Sequence, residues 1–182
     1  MKNLIDELIA DTKKIKSEVL ELAKLGADEL HHKPGPNKWN ILECIEHLNI
    51  ADSIYLYQFE KKLTQGSASR GQVFKPGILG NLFVTGLKPK SDGTIPNRMK
   101  TFQKFLPEVN AKYDTINKFL EDQDRLIQLL DASRKLDLNR NRIATALGRL
   151  VTLNLGDAYR FVIAHNQRHV VQMKNILKEY KG

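Results

Sequence analysis

The sequence predicts an all-α fold, an antiparallel four-helix bundle with a long crossover between its second and third helices. Three observations carry this. Apolar residues recur in alternating steps of three and four over four long stretches, the signature of one buried helix face. No sustained period-two alternation and no internal repeat is present. One glycine-rich stretch, 64–106, separates the second helical pattern from the third. Four long amphipathic helices with one long connection describe such a bundle. The 182 residues suffice for one full core and are short for two, so 1–182 is expected to be a single domain.

The first helix is expected from Lys2 to Leu25, with Leu4, Leu8, Thr12, Ile15, Val19 and Leu22 as its seam. Gly26 is a natural stop, and Pro34, Gly35 and Pro36 mark the loop that follows. The second helix has the best-defined start. Asn40 is a good N-cap, Glu43 stands at the capping-box position, and Trp39 and Cys44 occupy the two positions of a hydrophobic staple. Its inward face is read through Cys44, His47, Ile50, Ala51 and Ile54, and it is expected to reach Leu63.

Stretch 64–106 differs in composition. Six of the eleven glycines fall between Gly66 and Gly93, with Pro76, Pro89 and Pro96 in the same region. Ile78, Leu79, Leu82, Phe83, Val84 and Leu87 are too apolar to stay in solvent, so a short packed helix is expected inside the crossover, which could act as a lid. A third helix is expected from Pro107, read as an N1 proline, to Leu130 or Ser133. Its seam is Val109, Tyr113, Ile116, Leu120, Gln123, Ile127 and Leu130. The connection from Arg134 to Asn154 is expected to hold one short helical piece near Ile143–Leu150. The last helix is expected from Leu155 to Tyr180.

Composition narrows the function classes. Hydrophobic residues make up 41% and charged residues 27%, as in soluble globular chains. No apolar run approaches the roughly 20 residues that span a bilayer, so no membrane partner is expected. MKNLIDELIADTKK carries acids within its apolar stretch and does not read as a secretory leader. The single cysteine, Cys44, rules out an intrachain disulfide framework and fits a reducing, cytoplasmic setting. The net charge is +8, with the densest basic cluster at Arg134, Lys135, Arg140, Arg142 and Arg149. Without zinc-finger spacing or an RRM or KH signature, nucleic acid is not the expected partner. A nucleic-acid binder would show affinity falling steeply with salt and indifferent to the histidines.

Three histidines are the informative residues. His165 and His169 are four apart, so on a helix they share one face, about 5–6 Å apart at Cβ. They lie on a heptad-like seam through Ala158, Val162, His165, His169, Gln172 and Ile176. Burying imidazoles without partners costs on the order of 1–3 kcal/mol each, so something must satisfy them. His47 would supply a third ligand if the second and last helices are neighbours. Three neutral imidazoles suit Zn, Ni, Fe or Co and not Mg or Ca. They leave a coordination position open, as catalytic sites do, where water or a thiol could be deprotonated.

Other residues read as structural. Glu43 is better explained by capping than by ligation, and Cys44 as a small core residue rather than a thiolate ligand. His31 and His32 are expected to be exposed. Asn166 and Arg168 could support the histidines or face solvent. Gln172 could orient a bound molecule, and Gln123 interrupts an apolar seam. No catalytic residue beyond the metal ligands is assigned.

Two segments resemble the DinB-like, or YfiT-like, superfamily. Trp39-Asn40-Ile41-Leu42-Glu43 followed by Ile45-Glu46-His47-Leu48 is similar to its second-helix signature. His165-Asn166-Gln167-Arg168-His169 with Val170-Val171-Gln172 is similar to its last-helix signature. The resemblance implies a four-helix bundle holding a divalent metal, often nickel or zinc, on His47, His165 and His169, and often a homodimer. It implies a small-molecule enzyme of thiol S-transferase type, the metal activating a low-molecular-weight thiol. A metal-dependent hydrolase and a non-catalytic, metal-stabilised bundle that binds a ligand or partner are the alternatives. Nothing carries over to 64–106, which is longer than the plain family pattern.

Overall fold

Capping chemistry sets where the helices of this computed structural model begin. It describes residues 3–90, 92–95, 100–108, 111–146 and 148–182, with Arg149 described in its backbone only. Asn3 caps α1 (Leu4–Leu22), its side chain accepting from the Ile5 N–H. A short α2 (Ala27–His31) follows at the expected stop. At α3 (Ile41–Gln65) the predicted capping box is present. Asn40 Oδ1 accepts from Glu43 N–H at 2.8 Å, and Glu43 Oε2 accepts from Asn40 N–H at 3.0 Å. The crossover contains α4 (Ile78–Leu87), as its apolar run requires. Then come α5 (Asp114–Ala132), a hairpin of β1 (Arg142–Thr145) and β2 (Gly148–Asn154), and α6 (Leu155–Lys181), capped by Asn154.

The fold is mostly helical, and α1 and α3 each pack against both α5 and α6. Their inward faces merge into one core around Val19, Leu48, Phe59, Phe119, Leu130 and Tyr159. The α4 helix lies on α6, burying Val84 and Leu87 against Ala164 with Phe161 alongside. Among the described residues no helix is long and apolar enough to cross a membrane.

Four expectations are corrected. The helical piece expected near Ile143–Leu150 is a β-hairpin, antiparallel with an irregularity between Ala144 and Thr145. Exposure alternates along Arg142–Thr145, and β-branched Val151 and Thr152 favour strand on the partner. Gln58 on α3 then satisfies the Ala144 backbone, accepting from its N–H and donating to its carbonyl, both at 3.0 Å.

The third helix starts at Asp114, not Pro107. Phe105 is buried at the end of a short 3-10 turn (Gln103–Phe105), and Leu106, before the proline, is extended. The chain therefore reaches Ala111, also buried, before the helix begins. The helix's buried face is wider than the expected seam. Thr115, Phe119, Asp122, Leu126 and Leu129 are buried alongside the predicted Ile116, Gln123 and Leu130, whereas Tyr113 is exposed. Packing between two helices gives α5 a wider buried stripe than a heptad seam allows. Fourth, α1 stops at Leu22 rather than Leu25. Lys2, Pro96 and Val109 lie outside the described residues, as does the side chain of Arg149.

Candidate metal centre

The capping box fixes where α3 begins, and His47 then falls two turns in, facing α6. His165 and His169 project toward it from α6. His47 and His169 are buried at 5% and 6% exposure, and His165 is half-buried. The Nε2 atoms of His47 and His165 are 3.3 Å apart, and those of His165 and His169 are 3.2 Å apart. One nitrogen from each imidazole lies within 4.8 Å of the others. The structure thus brings together all three histidines singled out in the sequence.

Hydrogen bonding fixes the tautomer of His47. His47 Nδ1 donates to the Phe105 carbonyl at 2.7 Å. A carbonyl can only accept, so the proton sits on Nδ1 and Nε2 carries a lone pair. A single proton on His165 Nε2 can point well at only one of its two neighbours. Three imidazole Nε2 atoms this close are better satisfied by one cation. Two nitrogens about 2.0–2.1 Å from a tetrahedral ion lie roughly 3.3–3.4 Å apart, which matches the two short separations. The donor set fits a divalent transition metal.

Electrostatics favour the neutral ligand form. Burial pushes the His165 pKa down to about 3, with His47 and Arg168 adding to the shift. Burial also lowers His169 well below its ordinary value, and lowers His47 despite the Phe105 hydrogen bond. All three imidazoles are therefore neutral at pH 7, as a metal requires.

Aromatic rings close the site. The Trp39 ring lies 4.9 Å from His47 and 6.2 Å from His169, stacked on the latter. Phe161, one turn before His165 on α6, stacks on that imidazole at 6.3 Å with a 9° interplanar angle. Trp39 stands at the staple position before α3, and its ring also walls the histidine cluster.

The pattern of the DinB superfamily matches residues 15–173, a span that holds His47, His165 and His169. The chain belongs to the DinB superfamily. No curated protein and no solved structure matches it.

Around this DinB centre the remaining residues sort by position. Glu43 caps α3 and pairs with Lys33 at 2.6 Å, outside the histidine cluster. Cys44 is fully buried and burial pushes its thiol pKa up, as suits a core residue. His31 is exposed. His32, expected to be exposed as well, is half-buried with its ring edge against Tyr180 at 5.1 Å. Gln172 is half-buried on the histidine face.

Asn166 and Arg168 are both buried rather than turned to solvent. Asn166 donates to Asp52 Oδ2 at 2.8 Å, and Gln123 donates to the same oxygen at 3.3 Å. This buried trio links α3, α5 and α6 directly behind the α6 histidines. Asp52 went unremarked in the sequence, although it breaks the apolar stripe Leu48, Tyr55, Phe59. Phe105 and Phe161 carried no signal of their role, because their contacts join segments far apart in the chain.

Proposed function

We propose that the chain is a divalent-metal-dependent small-molecule enzyme of thiol S-transfer type, with zinc or nickel held by His47, His165 and His169. The observation that carries this reading is the convergence of three imidazole nitrogens from α3 and α6. Membership of the DinB superfamily supports it. A metal held there supplies Lewis acidity and lowers the pKa of a thiol or water in the position that three protein ligands leave open.

The chain's own residues prepare that chemistry. The Phe105 carbonyl holds the His47 tautomer that presents Nε2. Burial keeps the imidazoles unprotonated, and the Trp39 and Phe161 rings exclude water from their faces. Half-buried His165 marks the side from which a small molecule reaches the centre. We read the frame as a single domain, an antiparallel bundle of α1, α3, α5 and α6 with 64–106 as its crossover. We expect it to work as a homodimer in the cytoplasm, where the buried free thiol of Cys44 is at no risk of oxidation.

Elemental analysis of the purified protein, then thiol-dependent turnover assays with the metal found, tests this. The expected result is about one divalent ion per chain, lost in His169→Ala. Protein that retains no divalent metal, with His169→Ala unchanged in metal content, overturns it. Metal without turnover on any thiol leaves a metal-stabilised binding module, and metal-dependent hydrolysis of esters or amides without thiol replaces the reaction type with that of a hydrolase.

A further inference from the structure

A groove runs along the outer face of α3 where the hairpin docks. Its two halves are clefts of about 520 Å³ and 390 Å³ that share Tyr57, Gln58 and Ala144, so they form one continuous depression. The first half reaches Ser53, Lys104 and the hairpin tip. The second reaches Lys61, Lys62, Gln65 and Arg142. Along α3, Ser53 to Gln65 spans about 18 Å. Both halves are shallow and largely open to solvent.

The lining has one sign of charge. Lys104, Lys61, Lys62 and Arg142 contribute four cations, and among the described residues no acidic side chain lines either cleft. The ion pairs of neighbouring elements lie elsewhere: Arg134 engages Asp6 and Asp131, and Arg125 engages Glu60. Arg142 is held in place by Thr152, Nε donating to Oγ1 at 3.2 Å and a terminal nitrogen to the carbonyl at 3.1 Å. A guanidinium has five N–H donors, so others stay available. Tyr57, 66% exposed, offers an aromatic face between the two halves.

One end of the groove adjoins the histidine cluster. Lys104 directly precedes Phe105, whose carbonyl holds His47, and its ammonium donates to the Ala146 carbonyl at the hairpin tip. The Tyr55 hydroxyl accepts from the Ala146 N–H, and its ring packs on Phe161, which stacks on His165.

We propose that this groove seats an elongated acidic small molecule. Its carboxylate or phosphate rests on Lys61, Lys62 and Arg142, and its body crosses Tyr57 toward Lys104. A nucleic-acid strand is disfavoured, since a single exposed aromatic and about 18 Å of groove offer little stacking surface. The seating of the acid stands by itself; that its far end meets the histidines rests on the function proposed above.

The test is a chemical-shift titration of the isotope-labelled, metal-loaded full chain with glutarate, with inorganic phosphate, and with the uncharged diamide of glutarate. At least one of the two anions is expected to shift amides of residues 57–65 and 142–144, more weakly as salt rises, and the diamide is not. Which anion binds tells a carboxylate ligand from a phosphate ligand. The double variant Lys61→Glu, Arg142→Glu replaces two exposed side chains, and is expected to weaken binding at least tenfold with metal content unchanged. Anion binding that survives this variant, or diamide binding as tight as glutarate, overturns the proposal. So does binding lost on stripping the metal from wild-type protein, because the acid then sits on the histidines. Groove binding that persists while thiol turnover is absent sinks the thiol-transfer reading and leaves this one standing.

Discussion

At Asp52 burial and hydrogen bonding oppose each other. Burial raises its pKa to about 7, against the lowering effect of the Asn166 and Gln123 amides. Among charged neighbours, Asp122 raises it further and Lys118 lowers it. The folded-state value therefore stands above the unfolded value near 3.8. Its contribution to stability is complete below about pH 4 and is lost as pH rises through 7. The histidines act in the opposite sense. Their folded-state values are lowered, so in metal-free protein their contribution is present above the ordinary imidazole value and lost as pH falls. Asp52→Asn keeps the shape and removes only the titration. In urea unfolding of metal-free protein between pH 4.5 and 8, wild type should lose stability relative to Asp52→Asn by up to about 1 kcal/mol per pH unit. Equal pH slopes in the two proteins would mean that Asp52 is ionised throughout.

Elements show what was readable in the sequence and why. Helix α3 could be placed almost to the residue because its start is written locally, in Asn40 and Glu43. The histidine pair on α6 was equally local, since four residues of one helix fix a shared face. The hairpin and the start of α5 were not, because both depend on distant partners. The β1 edge is completed by Gln58, 86 residues away, and the turn before α5 is held where Phe105 meets His47, 58 residues away. The groove beside the hairpin was hidden for the same reason. Helix α4 gives an element-scale prediction. A Cβ at Gly80 would stand 2.1 Å from Asp157 Cγ and 2.5 Å from its Cβ, so the glycine permits the close approach of α4 to α6. Asp157 cannot swing aside freely, because its carboxylate accepts from Gly77 N–H and pairs with Arg160. Gly80→Ala should cost about 1–3 kcal/mol, read as a lower thermal midpoint. Gly86→Ala, with open space at its Cβ, should show no such loss.

Across the whole molecule, the histidine cluster joins α3 to α6 through His47 and His165, 118 residues apart in sequence. Packing already holds them, through a core that includes Leu48, Phe59, Tyr159 and Val162. A bound ion would add a tie absent from the unfolded chain, where the three imidazoles are scattered. Its stabilisation follows mass action and reaches about 4 kcal/mol when free metal exceeds the dissociation constant a thousandfold. Without the ion the same cluster is a liability, since three imidazole nitrogens crowd together in a largely buried site. Stripping the metal with a chelator should therefore lower the unfolding midpoint of the wild-type protein well beyond the few degrees of an ordinary surface change. Adding back zinc or nickel should restore it in a concentration-dependent way. His169→Ala should respond little to either treatment, because two remaining imidazoles make a weak site. Equal midpoints with and without chelator in wild-type protein that has been shown to carry metal would place the ion away from the α3–α6 junction.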